Sequence, residues 1–134
     1  MLLKPNVWAE AVKFRCHLAS EYRKFHAESD AKAAKDLTEL AVNLNLTKRE
    51  KPIHGATLAG YVLEDSPMPY WAAMAALVYI ISEGYQPIND DHLDYIVAHI
   101  AKDRDETEAM ATAIALLGKV ESRTIKQSIK RIAD

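Results

Sequence analysis

The stretch "LTELAVNLNLTKREKPIHGATLAGYVLEDSPMP", residues 37–69, decides how this chain folds. Leu37, Leu40, Ala41 and Leu44 recur at three- and four-residue steps, the spacing that lines one side of a helix. Leu58 and Tyr61 begin a second, shorter stripe, expected as a helix over roughly Ala56 to Asp65 and closed by Pro67 and Pro69. Between the stripes, Thr47 to Gly55 holds four charged residues, a proline and a glycine, which reads as an exposed loop and not as a turn of minimal length.

Helices extend in both directions from this centre. Trp8, Ala11, Phe14, Leu18, Tyr22 and Phe25 share one side of an expected helix of about five turns that opens at Pro5 and Asn6. Ser29 and Asp30 can cap the helix that carries Ala34, Leu37, Ala41 and Leu44, which should fade near Asn45. On the other side, Tyr70 to Ser82 is apolar nearly all round, with Trp71, Met74, Leu77, Val78, Ile80 and Ile81, and marks a central core helix stopped by Gly84. Asn89, followed by Asp90 and Asp91, is an N-cap with carboxylates where the helix dipole favours them, and the helix behind it should bury Leu93, Ile96, Val97 and Ile100. Asp105 and Glu108 form a capping box for a long last helix to about Ile132, separate from the preceding one or continuous with it.

With four glycines, five prolines and no alternating runs of β-branched residues, the expected fold is all-α. A chain of 134 residues with 49% hydrophobic content can bury a real core. The single cysteine, Cys16, excludes an internal disulfide and is expected as a small core residue. No cationic start followed by a long apolar run marks a signal peptide or membrane span, so a cytoplasmic location and no membrane partner are expected. Net charge is −2 but unevenly spread. Residues 1–51 hold ten Lys/Arg against seven Asp/Glu, none falls between Lys51 and Lys102, and Lys119 to Arg131 holds five basic residues against one acidic. A polyanion would meet the two ends of the chain.

The two stripes of residues 37–69 have the parts of a helix-turn-helix: a first helix that braces, and a second anchored by an aliphatic–aromatic pair. "LTELAVNLNL" resembles the "xELAxxLGV" run of repressor motifs, and "TLAGYVLEDSPMP" resembles the "xISRWxxGxxxP" of Cro- and CII-type repressors. Five helices, a long loop before the recognition helix and a separate long terminal helix resemble the YdaT family of prophage regulators, functional counterparts of the lambdoid CII proteins. The resemblance implies a POU-like, lambda-repressor-like DNA-binding domain over residues 1–102 and an oligomerisation helix over residues 106–134. It further implies a transcriptional regulator that binds an inverted repeat of double-stranded DNA as a homotetramer. The oligomer would form through Met110, Ile114, Leu117, Val120, Ile125, Ile129 and Ile132, which recur at helical spacing.

The DNA-facing residues are then Ala56, Thr57, Ala59, Gly60 and Tyr61 of the second helix, with Lys48, Arg49, Lys51 and His54 of the loop. The helix offers no Arg, Gln or Asn for bidentate base contacts, so small side chains against thymine methyls and loop contacts to phosphate point to an A·T-rich site. The loop charges serve equally well as a solvated turn, and the basic residues of the tail chiefly as solubilising charge. Catalysis has little footing. His92, His99 and Asp103 could share a helical face, but Ile96 interrupts it and no second helix supplies matching ligands. No phosphate loop or nucleophile motif occurs, so no enzyme, no metal and no cofactor are expected. The rival reading is a small helical module that binds another protein, such as a phage inhibitor, antitoxin or adaptor.

Overall fold

The computed structural model describes all of residues 1–134 and is all-helical. Its eight helices are α1 (Pro5–Lys13), α2 (Arg15–His26), α3 (Asp30–Asn43), α4 (Gly55–Val62), α5 (Tyr70–Ser82), α6 (Asp90–Ala101), α7 (Glu106–Leu116) and α8 (Ser122–Ile132). No helix is long and apolar enough to cross a membrane. The helices divide between two compact units, residues 15–85 and residues 1–14 with 86–134. That division replaces the expected boundary between residues 102 and 106, because α7 and α8 pack on α6 and on each other inside one unit.

In the unit of residues 15–85, α2, α3, α4 and α5 surround a core of Leu18, Tyr22, Leu37, Leu58, Leu77 and Ile80. The caps lie where the sequence puts them. Ser29 Oγ accepts from the Lys32 amide, and Asn45 takes a left-handed conformation (φ 59°) while the Leu46 amide returns to the Ala41 carbonyl. Gly84 (φ 104°) closes α5 in the same manner, with the Tyr85 amide on the Ile80 carbonyl. The expected single helix from Pro5 to Phe25 is instead α1 and α2, which break at Phe14. Packing accounts for the break better than local sequence does: α1 joins α6 in one unit, while α2 joins α4 and α5 in the other.

In the second unit, α1, α6, α7 and α8 enclose Leu93, Ile96, Val97 and Ile100, the four residues expected there. The Asn89 and Asp105 side chains accept from the amides of His92 and Glu108. The long terminal helix does not form. Asp103 (φ 61°) separates α6 from α7, and the turn containing Gly118 separates α7 from α8. α8 folds back onto its own unit, with Ile125, Ile129, Ile132 and Ser128 buried and Arg123, Lys126, Gln127 and Lys130 exposed. Asp94 of α6 fastens it, accepting from Ser128 Oγ at 2.6 Å and from Arg131 Nη2 at 2.8 Å. Of the seven residues assigned to oligomerisation, Leu117, Ile125, Ile129 and Ile132 are therefore core; Met110 and Val120 are half-buried, and Ile114 is 38% exposed.

Candidate nucleic-acid interface

The long loop between α3 and α4 has a geometric cause. α3 has 14 residues, which at about 1.5 Å per residue gives roughly 21 Å. α4 does not start at the far end of α3. A Cβ placed on Gly55 would stand 2.8 Å from the Ala31 nitrogen and 2.9 Å from the Asp30 carbonyl carbon, so the first residues of the two helices touch backbone to backbone. A four-residue turn reaches at most about 14 Å and could not make the return, whereas eleven extended residues reach about 36 Å. Leu44 to His54 supply that length.

The loop is held along α3 as it returns. The Ile53 amide donates to Thr38 Oγ1 at 3.2 Å, and Ile53 itself is buried. Thr38 Oγ1 in turn donates to the Ala34 carbonyl at 2.9 Å. Arg49 bonds through Nε to the Lys51 carbonyl at 3.2 Å and lies 6.0 Å from the centre of the Trp71 ring. A shallow groove between α3 and the loop is lined by Lys35, Glu39, Val42, Arg49 and Pro52, which marks the same antiparallel course. Lys48, Arg49, Lys51 and His54 are all exposed.

α4 buries one side and leaves the other open. Leu58 is fully buried and Tyr61 nearly so, packing against α3 and α2, while Ala56 is exposed and Thr57, Ala59 and Gly60 are half-exposed. Tyr61 is thus an anchor and not an outward-facing residue; burial raises its hydroxyl pKa. The remaining eight candidates stay at the surface, on one loop and the helix it delivers. No side chain caps the first turn of α4, and its positive end lies beside that of α3. Two helix dipoles with adjoining positive ends, next to exposed cations, make a site that favours an anion. The carboxylate closest in sequence, Asp30, is held by Arg23 Nε and Nη2 at 2.8 and 2.6 Å.

Other residues singled out by sequence fall elsewhere. His99 is fully buried with its Nδ1 2.8 Å from the Tyr95 carbonyl and its ring 5.3 Å from Trp8, whereas His92 packs on Phe14 at 4.7 Å. His92, His99 and Asp103 are therefore not brought together, and His99 is more deeply buried than the surface or half-buried position expected of it. Cys16 is not a core residue. It is partly exposed, its thiol lies 3.2 Å from Glu64 Oε1, and burial followed by that carboxylate pushes its pKa up, away from thiolate chemistry. A cluster with no signal in the sequence is His26, Glu28 and Asp36, gathered at the turn from α2 to α3. No family model, curated protein or solved structure matches the chain, so α3, its return loop and α4 are the ground on which a functional reading stands.

Proposed function

We propose that the chain is a DNA-binding regulator in which α4 enters a groove and the return loop grips the phosphate backbone, in the manner of the prophage regulators it resembles. The observation that carries the reading is the open outer side of α4, Ala56, Thr57, Ala59 and Gly60, flanked by four exposed loop residues of which three are cationic. α4 carries no charged side chain, so its base contacts are close packing on thymine methyls, and A·T-rich sequence is preferred. Affinity then comes mainly from phosphate contacts and from two half-sites engaged at once. Pairing of two copies would draw on the outer side of α7, where Thr107, Ala111 and Ile114 are exposed, and not on the isoleucines that α8 has buried.

Replacing Lys48, Arg49 and Lys51 together by alanine is expected to weaken DNA binding and flatten its salt dependence by about one unit of slope for each phosphate that is no longer neutralised. The thermal midpoint should stay unchanged, because all three are exposed. Fluorescence anisotropy on an A·T-rich inverted repeat at two salt concentrations reads both quantities. An unchanged salt slope would remove the loop from the interface. Absence of DNA binding by the native chain at low salt would favour a protein-binding scaffold, for which Leu63 at 66% exposure, Leu44 and Val42 offer apolar contacts.

A further inference from the structure

We propose that the turn between α2 and α3 binds one zinc-like divalent cation through His26, Glu28 and Asp36, independently of whether the chain binds DNA. The sequence gives no sign of it, since the ligands are separated by two and eight residues and belong to different elements. His26 ends α2 with its side chain only 4% exposed; its Nε2 lies 2.8 Å from Asp36 Oδ2 and 3.8 Å from Glu28 Oε2. All three donor atoms fall within 4.8 Å of one another. Tetrahedral zinc with bonds of about 2.0–2.2 Å places neighbouring donors roughly 3.4 Å apart, so one pair must open and the other close by about half an ångström. Glu28, in the turn and 58% exposed, has the freedom to close.

The histidine is already fixed for this role. Its ring lies 5.6 Å from that of Tyr22 and 5.9 Å from that of Tyr79. One imidazole with two carboxylates suits zinc and its neighbours, whereas calcium and magnesium prefer oxygen alone. Three protein donors leave a fourth position for water. A cation occupies the carboxylate now: Lys32 Nζ is 2.8 and 2.9 Å from the two Asp36 oxygens and, together with His26, holds the Asp36 pKa below its ordinary value. Lys32 is half-exposed and can swing into water, and an ion pair of this exposed kind contributes little to oppose displacement. Coordination through Nε2 places the imidazole proton on Nδ1, a buried atom that meets no acceptor, which makes the site weaker than one with a hydrogen-bonded outer partner.

Calorimetric titration of the full chain with zinc chloride, repeated with cobalt(II) to read the visible bands of a four-coordinate nitrogen–oxygen site, tests the assignment. One cation per chain is expected. Glu28→Gln should weaken binding by about tenfold or more, and Lys32→Ala, which removes the competing ammonium, should tighten it several-fold. Both side chains are at the surface, so both variants should fold like the native chain. Absence of binding, or native affinity in either variant, overturns the proposal, and zinc held at another histidine would show itself by the second of these results.

Discussion

A chain cut after Asp105 is expected to lose the entire unit formed by residues 1–14 and 86–105, and not merely the ability to assemble. α6 buries Leu93, Ile96, Val97 and Ile100 among α1, α7 and α8. Burying each such side chain contributes about 1.5–3 kcal/mol, so exposing most of that surface removes a sum comparable with the roughly 5–15 kcal/mol that holds a whole domain. The cut also removes Ser128 and Arg131, the hydrogen-bond donors to Asp94, and the Ile132 carbonyl that receives the Lys4 amide at 2.9 Å. Two remaining helices, α1 and α6, make too small a core to persist alone. Hydrogen exchange should show α6 amides losing protection while α2 to α5 keep theirs. Protected α6 amides in the shortened chain would contradict the packing described here. The experiment also separates two meanings of residues 106–134, since a detachable oligomerisation helix would leave α6 intact.

Gly55→Ala should destabilise the unit of residues 15–85 by about 1–3 kcal/mol, the range for forcing extra volume into a packed contact. The added carbon would lie under 3 Å from two backbone atoms of α3, at Asp30 and Ala31, and backbone cannot rotate aside. The other glycines calibrate the effect. At Gly60 the nearest atom is Ser66 Oγ at 2.7 Å, the end of a small side chain that can turn away, so Gly60→Ala should cost less. Gly118 has nothing within 4 Å, and Gly118→Ala should be neutral or stabilising by up to about 1 kcal/mol through the unfolded chain. Thermal melts of the three variants should therefore rank Gly55→Ala lowest and Gly118→Ala highest. A native melting temperature for Gly55→Ala would mean that the starts of α3 and α4 are not in contact.

Much of the helical layout is legible in the sequence because it rests on local chemistry. Ser29, Asn89 and Asp105 satisfy amides three residues ahead, Gly84 supplies a left-handed turn, and the apolar stripes of α3, α5 and α6 match their buried residues. The departures lie where tertiary packing overrides periodicity. Phe14 continues the apolar step from Ala11 to Leu18, yet the chain changes partners there. In the tail, Ile114, Leu117, Val120 and Ile125 keep a nearly helical rhythm across a turn, and the rhythm hides it. Gly118 and Ser122 are the available signals, a helix stop followed by a residue suited to a helix start. The length of the loop is plain in the sequence but its purpose is not, because the contact of Gly55 with Ala31 joins positions 24 residues apart. Of the candidate interface, all but Tyr61 are surface residues; Tyr61 is buried because the same stripe that marks α4 as a helix also needs an anchor.

The most direct test of the account lies on the outer side of α4. Random-site selection with the native chain should recover an A·T-rich inverted repeat, and anisotropy on that DNA should then compare the native chain with Ala56→Glu. Ala56 is exposed, so the substitution should leave the thermal midpoint unchanged, while a carboxylate placed in the groove should weaken binding by roughly tenfold to a hundredfold, as a mismatched contact does. Equal affinity of the two proteins, or a selection that returns no preferred sequence, would contradict the placement of α4 in DNA.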